Sequence, residues 1–155
     1  MTRHIAIRVL PLLLACGMAS QSAHASLGGD LNSIATDARK ARAAVAVKAV
    51  DSAAYTVHES TLPTGTVVRQ YASPAGTVFA VAWQGPYMPD LRQLLGASFN
   101  TMLTMQARAR HAGHPTVDIG TDKLVIQSRG HMRAFVGRAY LPQNMPAGVT
   151  ADAIQ

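Results

Sequence analysis

The sequence predicts an α+β fold, in which an antiparallel sheet of about five strands has two helices packed on it. Three runs rich in β-branched and aromatic residues lie between residues 55 and 83, and two short turns separate them. Apolar residues recur at helical spacing in one stretch before these runs and in another stretch after them. A further pair of strands near the end of the chain completes the sheet. The length of 155 residues, of which 48% are hydrophobic, suits a single folded domain.

The first 25 residues predict a secretory signal peptide and not a part of the fold. The start is basic, and an uncharged, mostly apolar run follows from Val9 to Ala19. Ala23-His24-Ala25 then places small residues at the two positions that a signal peptidase reads. Cleavage after Ala25 would leave one domain, residues 26–155, in the periplasm or outside the cell. Because a membrane anchor needs about 20 apolar residues, we expect no transmembrane segment in the mature chain.

The cysteine in this leader leaves a second form of export open. Leu13-Leu14-Ala15-Cys16 resembles the lipobox of bacterial lipoproteins, in which the cysteine is lipidated and becomes the first residue. The apolar segment between Arg8 and Cys16 is short for such a signal, so soluble export is favoured. The mature chain would then contain no cysteine, which excludes both a disulfide framework and thiol catalysis.

The charge balance is mildly basic. The chain has 14 basic and 8 acidic residues, a formal charge of +6. Loss of Arg3 and Arg8 with the leader leaves 12 basic residues against 8 acidic ones, or +4. This charge favours an anionic envelope component or an envelope protein as the partner. The basic residues form no stripe and do not alternate with aromatic residues, so binding to nucleic acid is not expected. The oligomeric state stays open.

The first helix is predicted from Ser33 to Val45, with Ser33 as its N-cap. Its apolar stripe consists of Ile34, Ala38, Ala41 and Val45. The alternating pattern of residues 45–50 fits a strand equally well, so the end of this helix stays open.

A three-stranded meander is predicted over Tyr55–Leu62, Thr66–Ala72 and Thr77–Trp83. In each of its two turns, a proline is followed two residues later by a glycine. The proline sets the first turn torsion, and the glycine takes the left-handed conformation that ends the turn. Alternation in the third strand assigns Phe79, Val81 and Trp83 to one face and the apolar residues between them to the other. This strand is therefore predicted to be central and covered on both sides.

The second helix is predicted to start after Asp90, which caps it, and to continue to Gly113. Gly96 would lie inside this helix at a cost of about 1 kcal/mol relative to alanine. Two last strands, Leu124–Ser128 and His131–Leu141, are predicted to be joined by a tight turn at Arg129-Gly130.

Motifs along the mature chain together resemble one known family. They are Leu27-Gly28-Gly29, Tyr55–Glu59, Gly65–Arg69, Gly76–Trp83, Pro89-Asp90-Leu91, Gly130–Phe135 and Gly137–Pro142. The family is the bacterial domain of unknown function 2844, and the resemblance extends over nearly all of the mature chain. It implies a small exported protein of Gram-negative bacteria. It implies no catalytic residues.

The residues themselves favour a non-catalytic binding or envelope-assembly protein. Tyr87 and Met88 lie between two prolines, and an aromatic residue and a methionine in a stiff loop are typical of a contact surface. His131 and Arg133 lie near the end of a predicted hairpin and share one strand face, where they could bind an anion. These four residues are the predicted binding positions.

Two other functions stay open. A small enzyme could use His58, Asp90 or His131 as an acid or a base, although helix capping already explains Asp90. A metal-binding protein could use the spacing of His111-x-x-His114. That pair lies at a helix end next to a glycine and a proline, and zinc requires three or four well-placed ligands. We therefore expect no metal and no cofactor.

Overall fold

The computed structural model describes residues 27–49, 54–110 and 117–155. The predicted signal peptide, with Cys16, lies outside the described residues, and so does His111-x-x-His114. Within the described ranges, no helix has the length and hydropathy that a membrane crossing requires.

The described residues form seven strands and three helices. The strands are β1 (Ala44–Ala49), β2 (Thr56–Thr61), β3 (Val67–Ala72), β4 (Val78–Gly85), β5 (Val117–Gly120), β6 (Val125–His131) and β7 (Ala134–Tyr140). The helices are α1 (Leu31–Lys40), α2 (Leu91–Leu95) and α3 (Ser98–Arg110). Short 3₁₀ turns follow at Pro142–Asn144 and Ala151–Ala153.

All seven strands belong to one antiparallel sheet with the order β1-β2-β3-β4-β7-β6-β5. The predicted antiparallel α+β architecture is confirmed, and so are the three-stranded meander and the pair of late strands. The predicted number of about five strands is too low because β1 and β5 were not counted. Both are edge strands, which bury less apolar surface and therefore show a weaker pattern in the sequence.

Strand β4 lies at the centre of the sheet and is covered on both sides, as predicted. Every residue from Val78 to Trp83 is buried. One side, the helix face, packs against residues of the three helices and against Leu27. The other side, the tail face, is covered by the last segment of the chain, residues 142–155, through Met145, Val149 and Ile154.

A β-bulge in β4 changes which face Phe79 occupies. Tyr71 pairs with Ala80, but the next residue of β3, Ala72, pairs with Val78, so Phe79 is an extra residue in its strand. Phe79 therefore packs on the tail face with Tyr71, whereas Trp83 packs on the helix face. The prediction that Phe79 and Trp83 share a face is wrong, because simple alternation fails at a bulge.

The first helix spans Leu31–Lys40, so the prediction of a helix from Ser33 to Val45 is wrong at both ends, and Ser33 lies inside the helix. The amide of Arg42 donates to the carbonyl of Arg39, and that of Ala43 donates to the carbonyl of Ala38. This is a Schellman motif, and its left-handed position is taken by Arg42 with φ 52° where a glycine is usual. The following residues form β1, the alternative that the sequence left open.

The second predicted helix is interrupted. Asp90 caps α2 as predicted, since one of its carboxylate oxygens accepts hydrogen bonds from the amides of Arg92 (2.9 Å) and Gln93 (3.1 Å). Gly96 then ends α2 with φ 51° and ψ −122°, a conformation that favours glycine. The prediction of one continuous helix is therefore wrong, because Gly96 is a helix terminator here and α3 starts anew at Ser98.

The late hairpin turns three residues later than predicted. His131 pairs with Ala134, so Met132 and Arg133 form the turn, and Arg133 adopts φ 63°. Gly130 lies within β6, where an added Cβ would be 2.4 Å from the ring of Phe135. The glycine at this position admits that ring. The predicted turn at Arg129-Gly130 is wrong, and so is the placement of Arg133 on a strand face.

Candidate functional site

Two segments with predicted binding residues meet at one end of the sheet. Strand β4 ends at Gly85, and Gly85 pairs with Phe135 near the start of β7. The loop that follows β4 and the turn that precedes β7 therefore project from neighbouring strands at the same end. The structure brings Tyr87 and Met88 to the same end as His131 and Arg133, although these pairs are more than 40 residues apart in sequence.

The loop after β4 is held in place by Thr66, which is fully buried. The Thr66 hydroxyl donates to the carbonyl of Tyr87 (2.7 Å) and accepts from the amide of Tyr87 (3.3 Å). Gly85 makes this contact possible, because a Cβ there would lie 2.5 Å from the Cα of Thr66. Both main-chain polar groups of Tyr87 are thus fixed, and its side chain points outward with little freedom left in the backbone.

Five side chains at this end are exposed. Tyr87 is 53% exposed and Met88 41%, and Met132 at the hairpin turn is 97% exposed. His131 and Arg133 beside it are exposed as well. We call these five residues the tip surface. Met132 was missed in the sequence because the hairpin was predicted to turn at Arg129-Gly130, which would have placed Met132 within a strand.

The three residues proposed for acid–base chemistry are not brought together. His58 lies in the middle of β2, opposite Gln70, whereas His131 lies at the hairpin turn between β6 and β7. Strands β3, β4 and β7 separate β2 from β6, and four strand spacings of about 4.8 Å put the two histidines roughly 19 Å apart across the sheet. The cavity beside Asp90 has a volume of about 50 Å³, well below the 300 Å³ or so of small ligand sites.

His58 is partly buried on β2. Its Nε2 atom is buried and has no hydrogen-bond partner within the described part of the chain. Burial lowers the pKa of His58 below its ordinary value of 6.5. The neutral imidazole therefore suits this site. Across residues 27–49, 54–110 and 117–155, no three histidine, cysteine, aspartate or glutamate side chains group closely enough to hold a metal ion.

The tail face carries a polar network that anchors the end of the chain. The guanidinium of Arg69 pairs with Glu59 (2.8 Å) and donates to the main-chain oxygen of Gln155 (3.1 Å). The hydroxyl of Tyr71 donates to the same oxygen (2.8 Å) and accepts from the amide of Gln155 (3.0 Å). Burial raises the pKa of this hydroxyl, so Tyr71 stays protonated at neutral pH.

Arg138 fixes the tail from the neighbouring strand. Its guanidinium donates to the Gln127 side-chain oxygen (2.8 Å) and to the carbonyls of Ala151 (2.7 Å) and Ile154 (3.4 Å). These contacts hold Ile154 on the sheet, where its side chain is buried. Nothing in the sequence predicts this arrangement, because the tail has no periodic pattern of its own.

The described residues form an α+β domain with a seven-stranded antiparallel sheet. Helices cover one face of this sheet, and the tail of the chain covers the other. The chain belongs to the family described as "Protein of unknown function (DUF2844)", which matches residues 23–154. The resemblance drawn from the sequence motifs is thereby confirmed. No curated protein and no solved structure matches the chain.

Proposed function

We propose that this chain is an exported, non-catalytic binding or assembly module whose tip surface contacts a protein of the bacterial envelope. The observation that carries the proposal is the exposure of Tyr87 and Met88 on a loop that the buried Thr66 holds by two hydrogen bonds. Tyrosine and methionine are enriched in protein interfaces. A loop whose backbone is already fixed loses little conformational entropy when it binds.

The composition of the tip surface supports a protein partner. Tyr87, Met88 and Met132 supply apolar surface, and His131 and Arg133 supply polar groups at the same end of the sheet. Interfaces between proteins combine apolar and polar groups in this way. Methionine side chains adapt to different partner shapes because they are unbranched and flexible.

Binding can be tested by affinity capture from an envelope extract with the purified protein. The double variant Tyr87→Ala/Met88→Ala should lose the captured partner and keep the thermal stability of the wild type, because both side chains are largely exposed. Leu103 is 43% exposed on α3 and supplies a matched control, so Leu103→Ala should keep the partner. Full capture by the double variant, or loss of capture by the control as well, would reject the tip surface as the contact.

Export is a separate part of the proposal and rests on the leader sequence alone. The basic start, the apolar run and Ala23-His24-Ala25 support cleavage before Ser26. The intact mass of the protein recovered from the envelope fraction should therefore correspond to residues 26–155. A mass that begins at Cys16 and includes acyl chains would replace this proposal with that of a lipoprotein.

A further inference from the structure

Two cavities of similar size lie on the tail face, one on each side of Gln155. The first has a volume of about 420 Å³ and the second about 410 Å³. Both fall in the range of roughly 300–1,000 Å³ that small-molecule sites occupy. Gln84 and Gln155 line both cavities, which are therefore neighbours.

The two cavities differ in charge. In the second cavity the one guanidinium, that of Arg69, is neutralised by Glu59 at 2.8 Å. The first cavity is lined by two arginines, Arg129 and Arg138, and by no aspartate or glutamate side chain of the described residues. Gln155 lines it too, but its main-chain oxygen is bound by Arg69 and Tyr71, which line the second cavity. Asp118 pairs with Gln127 from β5, but it does not line this cavity. An anion is therefore favoured in the first cavity and not in the second.

The two arginines of the first cavity have different roles. The guanidinium of Arg138 is already used by Gln127 and by the tail carbonyls. Arg129 is exposed, and within the described ranges its guanidinium has no ion pair or side-chain hydrogen bond. Its planar fork of N–H donors matches a carboxylate or a phosphate. Arg129 is thus the group available to a ligand.

The other side chains that line the first cavity suit a ligand with many hydrogen-bond acceptors. Gln84, Val136 and Arg129 form one row across three adjacent strands, since Val136 pairs with both of the others. The side-chain oxygen of Gln127 accepts a hydrogen bond from Arg138, and its NH₂ group can donate to a ligand. The exposed side-chain amide of Gln84 can both donate and accept. Val136, at 50% exposure, adds an apolar contact between these polar groups.

We infer that this cavity is a binding site for an acidic sugar, with Arg129 holding its carboxylate or phosphate group. The side-chain amides of Gln84 and Gln127 hydrogen bond to the hydroxyls of the ring, and Val136 packs against the C–H groups of the ring. The site lies on the tail face and shares no residue with the tip surface, so it goes beyond the proposed contact with an envelope protein.

The inference is tested by nuclear magnetic resonance titration of the purified protein with three sugars that share the same ring: glucuronate, glucose 6-phosphate and glucose. At least one acidic sugar should shift the side-chain signals of Arg129, Gln84 and Gln127 in a saturable way. Its Kd should be at least tenfold lower than that of glucose. The acid that binds more tightly identifies the charged group that the site selects.

Two variants control for charge alone. Arg129→Gln should weaken binding of the acidic sugar to the level of glucose. Lys123→Gln removes one positive charge from an exposed position in the loop between β5 and β6, outside the cavity, and should leave the Kd within twofold of the wild type. The inference is overturned if no sugar binds, if glucose binds as well as the acids, if Arg129→Gln keeps full affinity, or if both variants lose affinity equally.

Discussion

The contact between Gly137 and Trp83 offers a sharp test of the described packing. Gly137 lies in β7 directly opposite Trp83 in β4, and the indole ring lies over the glycine. A Cβ added at Gly137 would be 2.3 Å from Cζ2 and 2.6 Å from Cε2 of that ring, and 2.8 Å from the carbonyl of Gln127. Substitution of Gly137 by alanine therefore forces the ring or the sheet to move.

The expected loss of stability follows from the lack of space around the indole ring of Trp83. Trp83 is 1% exposed and belongs to the helix-face core, so the ring cannot move into solvent. Adding a methyl group to a well-packed core costs typically 1–3 kcal/mol. Because two ring atoms and one main-chain oxygen all lie within contact distance, we expect Gly137→Ala to cost about 3 kcal/mol. For a chain of this length, that lowers the Tm by roughly 6–12 °C.

Urea unfolding followed by tryptophan fluorescence measures this effect, because Trp83 is the single tryptophan of the chain. The matched control is Gly120→Ala in β5, where an added Cβ would meet nothing within 4 Å and should change stability by less than about 0.5 kcal/mol. Trp83→Leu removes the fluorophore, so the unfolding of the variants that carry it is followed by circular dichroism. It should cost less in the Gly137→Ala background than in the wild type, since the two positions are in contact. Equal stability of the two alanine variants would refute the described packing.

Three further predictions concern the loop, the helix face and the tail. Thr66→Val removes both hydrogen bonds to Tyr87, so it should lower the free energy of unfolding by about 1–2 kcal/mol and speed hydrogen exchange at the Tyr87 amide. Unchanged exchange would show that Thr66 does not fix the loop. Because the pKa of His58 is lowered in the fold, the unfolded chain takes up its proton first as pH falls, and this side chain contributes stability above about pH 6.5 that is lost below it. In urea unfolding from pH 7.5 to 5, the stability of His58→Gln should fall less steeply than that of the wild type. Parallel curves for the two proteins would contradict this. Ile154→Ala should cost about 2–4 kcal/mol in urea unfolding because Ile154 is 1% exposed, and an unchanged midpoint would mean that the tail does not cover the sheet.

The sequence predicts the centre of this fold better than its edges. The meander is correctly predicted because both turns place a glycine in the left-handed conformation, with φ 82° at Gly65 and at Gly76. The buried alternation of β4 is equally clear. At the edges, β5 has four residues and β1 follows a helix whose end is marked by an arginine and not by a glycine. Neither boundary has a strong local signal.

The errors at glycines have one physical cause. A glycine can serve a turn, a helix end or the close approach of a side chain, and the sequence alone does not distinguish these uses. Gly96 was assigned to a helix interior and ends that helix, whereas Gly130 was assigned to a turn and admits the ring of Phe135. Only tertiary contacts decide between these roles.

The candidate sites were predictable in part. Tyr87 and Met88 could be found because two prolines and an aromatic residue mark a stiff exposed loop. The cavity of Arg129 could not be found, since it is formed by single residues from β4, β6 and β7 together with the end of the chain. The pairing register of the strands brings these residues together, and no spacing within the sequence indicates that register.

The proposed contact through the tip surface is tested most directly by photo-cross-linking in cells. A photoreactive amino acid replaces Met132, which is 97% exposed, or Leu103 on α3 as the control. A cross-link from position 132 to a discrete envelope protein is predicted, with none from position 103. The cross-link should disappear when Tyr87→Ala/Met88→Ala is combined with the probe at position 132. The same products from both positions, or no product from position 132, would contradict the account.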